Sequence, residues 1–551
     1  MIMWKKHPKA LPFLFFSEMW ERFGYYLMIG IFTLYLKDAT DGFNMDEKDA
    51  SSLYGTFIAL VFFTPFLGGL IADRYLGYRR SIILGGLLMG IGYCTMGVQS
   101  EAMLYLSMTL VIIGNGFFKP NISTLLGNAY TTPEYIDKKD EGYNIFYMGI
   151  NIGAFVCNFF GAALYSLIGW GAAFAAAGVG MFIGVIIFII GTKHYKNFDV
   201  RKPLQPGDMP LWQIMALVIL PSIIFGVIGW FLKGTGGYIF DSNSTDAFIF
   251  ACIPVLIFYT VLLVRSNKEE RPSMAALLSI FAVVILFWAI FKQNGSALNT
   301  WASRYTDREV SSTAGNALQA LKQTDKSSYT TYKLDSVVKM DHQFRKIREN
   351  GKEIKELGYP SYFKNVAPDK LPPEGTFVKT WLPSLSQSIN PFWVIALTPL
   401  IVAFFTWLRN RNKEPSTPTK IAFGLLISAL SVLVMVAAVK AGNNGAEKVS
   451  VWWLIGSYGV VTIGELFLSP MGLSLVSKLS PVRITSLMMG GWFLSTSIGN
   501  KLSGILASQW DNYENKANYF WLNFILLSAA ALFLFLLLKW LNKIMKSRGV
   551  H

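Results

Sequence analysis

The chain has 551 residues, of which 53% are hydrophobic and only 15% charged, with a formal net charge of +15. A soluble chain carries about 25% charged residues, so this deficit and a mean hydropathy of +0.40 place much of the chain in lipid. The basic residues sit in short loops between apolar runs, the positive-inside pattern of a membrane protein and not a nucleic-acid-binding patch.

A membrane-crossing helix needs about 20 mostly apolar residues. Runs of that kind occupy 11–36, 52–72, 80–99, 103–126, 143–167, 171–192, 211–232, 246–264, 272–293, 390–408, 418–440, 451–476, 484–507 and 519–542, which predicts an all-α polytopic membrane protein of fourteen helices. The basic N-terminal stretch leads into a run holding three charges without a small-residue cleavage site, and reads as a retained first helix. Loops with Lys5, Lys6 and Lys9, with Arg74, Arg79 and Arg80, with Lys138 and Lys139, and with Lys193, Lys196, Arg201 and Lys202 fall on one side. So do those with Arg265, Lys268 and Arg271, with Arg409, Arg411, Lys413 and Lys420, with Lys478 and Arg483, and with Lys539, Lys543, Lys546 and Arg548. Both termini are therefore expected in the cytoplasm.

The runs divide into six, two and six. Residues 1–195 form a six-helix bundle, 196–270 an inserted transmembrane hairpin and 271–302 the first helix of a second bundle, completed by 384–551. Residues 303–383 are polar and face outward as a loop or small cap, in which the charged piece 334–357 is a helix candidate.

Charges inside membrane helices cost roughly 2.5–3.5 kcal/mol each at the centre and by default mark a pathway. The first run holds Glu18, Glu21 and Arg22, whose spacing of three and four residues puts them on one face with Tyr25, Tyr26 and Ile29. The fourth run holds Lys119 before Pro120, and a buried lysine needs a carboxylate partner, for which Glu18 and Glu21 are candidates. The twelfth run holds Glu465 and, one turn on, Ser469. Two cations in one half and an anion in the other suit a zwitterion with separated ends. Against this stands a structural ion-pair cluster that only locks helices together.

Glu18-Met19-Trp20-Glu21-Arg22-Phe23-Gly24-Tyr25-Tyr26 resembles the ExxERFxYY signature of the proton-dependent oligopeptide transporters, a branch of the major facilitator superfamily. Four more blocks agree: 68–74 with 77–80, 118–121, 146–153, and 464–473. The resemblance covers nearly all of the chain except 303–383, and the extra hairpin is typical of bacterial members. It implies two six-helix bundles of the major facilitator fold and proton-coupled import of di- and tripeptides across the bacterial inner membrane. No cofactor is implied, the proton being the coupling ion.

By the same resemblance Arg22 and Lys119 hold the peptide carboxylate, Glu465 holds the amine with Ser469 nearby, and Asn151 and Asn390 bond the peptide backbone. Tyr25, Tyr26, Trp288, Phe291 and Trp492 build side-chain pockets, where aromatic walls give area without demanding one side chain. Glu18 and Glu21, with Arg22 and Lys119, take part in proton coupling.

Three positions depart from the family pattern. Ile29 replaces a second arginine, and Lys292 stands where the ninth run usually carries an acid; in the family those two residues form the outer gate pair. Lys292 has two readings: a residue that snorkels or caps its helix, or one that makes a new, state-dependent pair with a carboxylate. Phe62 replaces a tyrosine. Alternatives are a relative moving nitrate or drug-like solutes, against which Glu465 argues, and a non-transporting receptor using 303–383. An enzyme is not indicated: there is no Ser/His/Asp set, no phosphate-binding glycine loop and no metal-ligand spacing among the cysteines Cys94, Cys157 and Cys252 and the four histidines.

Overall fold

A computed structural model describes residues 4–548 apart from 5, 39–40, 46, 200–209, 233–238, 240–242, 296, 311–328, 342–343, 345–346, 350–351 and 382. Lys5, Arg201 and Lys202, counted above among the loop cations, lie outside the described residues.

The apolar runs fold as helices because a backbone in lipid must satisfy its own hydrogen bonds. The first half contains α1 (Ala10–Lys37), α2 (Glu47–Phe63), α3 (Pro65–Ile71), α4 (Tyr78–Met96), α5 (Glu101–Ala129), α6 (Lys139–Leu167) and α7 (Trp170–Gly191). Pro65 opens α3 directly after α2, and a π-turn over Ala72–Leu76 extends it, so 47–76 form one interrupted rod. A second interrupted rod joins α8 (Leu211–Ile214) to α9 (Leu220–Phe231), which packs against α10 (Asn243–Arg265) as a hairpin. The second half contains α11 (Arg271–Phe291), the short α12 (Ala297–Arg304), α13 (Ile389–Asn410), α14 (Thr417–Ala441), α15 (Val451–Leu479), α16 (Thr485–Ser508) and α17 (Lys516–Ser547). Among the described residues, ten spans are long and apolar enough to cross a membrane by length and composition; α1, α4, α6 and α16 fall outside that set. Large apolar side chains such as Ile190, Leu217, Phe231, Leu400 and Leu536 stay uncovered on the outer faces, as a surface that meets lipid requires.

Within the first half α1 packs on α6 and α7, and α4 on α5 and α7; within the second, α14 packs on α15 and α17, and α11 on α16. The halves meet where α3 and α5 touch α16, and where α6 touches α13 and α15. Gly69 lies at this seam: a Cβ there would sit 2.4 Å from the Ser486 carbonyl oxygen, so only glycine allows the two backbones to approach so closely.

The helix expected over 334–357 is not formed among the described residues of that segment. The segment is built from short antiparallel ladders: β1 (Tyr329–Thr331) pairs with β6 (Phe377–Lys379), β2 (Asp335–Val338) with β5 (Lys355–Gly358), and β3 (Arg348–Glu349) with β4 (Lys352–Glu353). The adjacent β-branched Val337 and Val338 favour a strand over the helix that the charged composition suggested. The subdomain is anchored on the loop between α14 and α15. Asn365 donates to the Arg304 and Gly445 carbonyls at 2.9 and 3.2 Å, and Lys448 N–H donates to the Asn365 carbonyl at 2.9 Å.

Candidate functional site

On α1 the face seen in the sequence is buried as a unit: Glu18, Glu21 and Arg22 are each nearly inaccessible. The Arg22 guanidinium forks onto both oxygens of Glu21 and lies 3.7 Å from Glu18 Oε1. It also reaches Asn115 Oδ1 at 3.5 Å and lies 4.6 Å from the Tyr25 ring centre and 5.9 Å from that of Tyr26. Asn115, one turn before Lys119 on α5, escaped the sequence reading; the i, i+4 spacing from Lys119 was the signal available. It is held in turn by donating to the Val61 carbonyl at 2.8 Å.

Lys119 does not pair with Glu18 or Glu21 as expected. Its ammonium lies over two rings, 4.7 Å from the centre of Phe62 and 4.9 Å from that of Phe493, without a carboxylate in ion-pair contact among the described residues. The planar fork of Arg22 matches a carboxylate and keeps both oxygens of Glu21, which a lysine on the neighbouring helix cannot displace. Phe62, noted as a lost hydroxyl, thus has its own role as a ring face under the lysine.

Glu465 on α15 is buried, and each of its oxygens has a neutral donor. Tyr147 of α6 donates its hydroxyl to Oε1, and Asn390 of α13 donates to Oε2 at 2.7 Å and to Thr462 Oγ1 at 3.0 Å. Tyr147, from the first half, is the second residue missed, although it stands inside a quoted block. Asn390 and Glu465 are therefore brought together; among the described residues Asn151 bonds only its own helix, at the Tyr147 carbonyl. Ser469 is buried one turn beyond Glu465, beside Tyr147.

Trp288 and Phe291 meet edge to face, 5.6 Å between centres, and Lys292 folds back over them at 5.4 and 5.8 Å. Lys292 is the C-cap residue of α11, yet its ammonium turns inward, within Coulombic reach of Glu465, Arg22 and Lys119. Tyr26 lies within such reach of both Arg22 and Glu465, one in each half. Ile29 is half-buried and packs on the hydrophobic interior. Trp492 is packed against Phe281 and into Gly472, where a Cβ would sit 1.9 Å from its ring; the neighbouring Phe493 is the side chain that reaches Lys119. Four polar atoms here are buried without a hydrogen-bond partner among the described residues: Glu18 Oε2, Tyr25 Oη, Trp288 Nε1 and Ser469 Oγ. Such orphans are costly unless something polar completes them.

The halves are also tied at the end that carries the basic loops. Asp140, in the first turn of α6, accepts from Lys420 and Lys478 at 2.7 Å each, from Thr417 at 3.0 Å and from Ser474. Glu414 joins Lys420 at 2.7 Å and Arg409 at 2.6 Å, and Arg409 reaches Glu141 at 3.1 Å. Asp73 accepts from the Ser486 and Leu487 N–H groups at 2.9 and 3.1 Å, the N-terminus of α16, where a carboxylate is favoured.

The POT family profile (PTR2) matches residues 79–322 and 380–522. A curated di-/tripeptide transporter of Lactococcus lactis subsp. cremoris is 27% identical over 507 residues, covering 90% of this chain and 88% of its own length. The uncharacterized transporter YclF of Bacillus subtilis (strain 168) is 27% identical over 511 residues, covering 92% and 88%. A crystal structure of a mutant peptide transporter POT in complex with alafosfalin superposes with a TM-score of 0.62 at 28% identity, covering 98% of this chain and 97% of that one.

Proposed function

The chain belongs to the POT family, and from that membership we propose that it imports di- and tripeptides with protons, as a multi-pass transporter of the bacterial inner membrane. All fourteen rods cross the bilayer, both termini are cytoplasmic, and 303–383 lies outside. The halves 1–195 and 271–551 rock about the shared space, with 196–270 as a membrane hairpin between them.

One observation carries this reading: Arg22 and Lys119 of one half and Glu465 of the other flank the same two side chains, Tyr26 being close to Arg22 and Glu465, and Lys292 to Glu465, Arg22 and Lys119. A peptide's carboxylate would meet the cations and its amine would meet Glu465, which keeps lone pairs beyond the two used by Tyr147 and Asn390. Asn390 acts by holding Glu465, Asn151 and Ser469 lie beside the amine pole, and the rings of Tyr25, Tyr26, Trp288 and Phe291 bound the side-chain space. Trp492 lies outside that wall, packed on Phe281, and its chain neighbour Phe493 provides a ring beside Lys119. Protonation of Glu18 or Glu21 would weaken their hold on Arg22 and so link proton entry to rearrangement of α1. The named relatives with peptide substrates support the same cargo.

The reading is tested by uptake of labelled alanyl-alanine into vesicles containing the full chain. Competition by trialanine but not by nitrate is expected. Competition by nitrate alone would favour the relative that moves other solutes, and binding without uptake would favour the receptor.

A further inference from the structure

The cation on α11 is unaccounted for by a simple zwitterion. Lys292 has no carboxylate in ion-pair contact among the described residues, and its ammonium meets only the rings of Trp288 and Phe291. Lys292 is half-buried, and a ring face returns only about 0.5–1 kcal/mol at exposed sites and about 2 when desolvated, less than a paired carboxylate with a hydrogen bond would. Glu465 does not pair with it directly: the carboxylate takes its donors from Tyr147 and Asn390 and makes no ion-pair contact with Lys292 among the described residues.

Lys292 is nevertheless within Coulombic reach of Glu465. Any amine seated at Glu465 therefore faces a second positive charge. For a peptide with a neutral amino-terminal side chain that proximity is a penalty. A carboxylate on that side chain reverses it, because it brings an acceptor to the ammonium and screens the amine from it. The peptide's terminal carboxylate cannot serve both ends, as it is directed to Arg22 and Lys119.

We propose that Lys292 is a specificity-determining residue that receives an acidic amino-terminal side chain, so that the preferred cargo is an anionic di- or tripeptide beginning with Asp or Glu. The aromatic pair Trp288 and Phe291 gives the stem of that side chain its apolar wall, and the unpartnered Trp288 Nε1 supplies a further donor to its carboxylate. This inference rests on the peptide reading above.

The test is competition against labelled alanyl-alanine uptake in proteoliposomes holding the full chain. The competitors are glutamyl-alanine and its near-isosteric neutral partner glutaminyl-alanine. In the unmodified protein glutamyl-alanine should compete at about tenfold lower concentration, the scale of one hydrogen bond between charged groups. In Lys292→Gln the ratio of the two should fall to within about twofold, and Lys292→Arg should restore it, which separates a charge effect from damage to the fold. Equal competition in the unmodified protein, or a preference that survives Lys292→Gln, overturns the inference while leaving peptide transport intact. If no dipeptide is taken up or competes at all, the peptide reading itself falls and this inference with it.

Discussion

Tyr147 on α6 donates its hydroxyl to Glu465 on α15, so the carboxylate of one half of the transporter is held by a side chain of the other. This bond both orients the amine pole and ties the halves at the level of the cargo. Removing it leaves a buried carboxylate oxygen short of a donor, at about 1–3 kcal/mol. Tyr147→Phe should therefore weaken dipeptide binding about tenfold in calorimetry on purified protein. Binding that is unchanged would remove Tyr147 from the site.

Asp140 links α6 to α14 and α15 through Lys420 and Lys478. Breaking a buried pair by removing one partner costs about 3–5 kcal/mol. Asp140→Asn should loosen this end of the molecule and raise hydrogen exchange in segments 414–421 and 472–480. Unaltered exchange there would mean that the network does not hold the halves together.

Much of this architecture was legible in the sequence, and the misses have physical causes. Apolar runs dictate helices because lipid offers no hydrogen bonds, and Glu18, Glu21, Arg22 and Glu465 stand out because intramembrane charge is expensive. Asp140 was hidden among Lys138, Lys139 and the other loop charges, which read as solvated until α14 and α15 are seen to bury it. Lys119 was assigned to the carboxylates because sequence gives charge but not the rotation of one helix against another. The same rotation decides that Phe493, and not Trp492, reaches it.

Trp492 occupies the notch left by Gly472, where a Cβ would sit 1.9 Å from its ring. Gly472→Ala must push α15 and α16 apart or move the indole, and overpacking of this kind costs about 1–3 kcal/mol. A lowered thermal midpoint in detergent is expected. A midpoint equal to that of the unmodified protein would show that the indole moves freely.

The subdomain of short strands has a pH-sensitive anchor. Lys448 lies 4.4 Å from the Tyr362 ring centre and near Arg308. Burial, then the Arg308 charge, push its ammonium down from the ordinary 10.5 to about 7, against the pull of Asp307. The unfolded chain therefore binds more protons between about pH 7 and 10.5, so this residue's contribution grows as pH rises across that window and is lost as pH falls through about 7. Proteolysis of the subdomain should slow between pH 7 and 9, and Lys448→Met should flatten that dependence. A dependence that persists in the variant would assign it to another group.

The most direct test of the account is accumulation of labelled alanyl-alanine in proteoliposomes with and without an inward proton gradient, at matched membrane potential. The gradient should drive the internal concentration several-fold above the external one, and Glu465→Gln should abolish this. Equal uptake in both conditions would contradict proton-driven import.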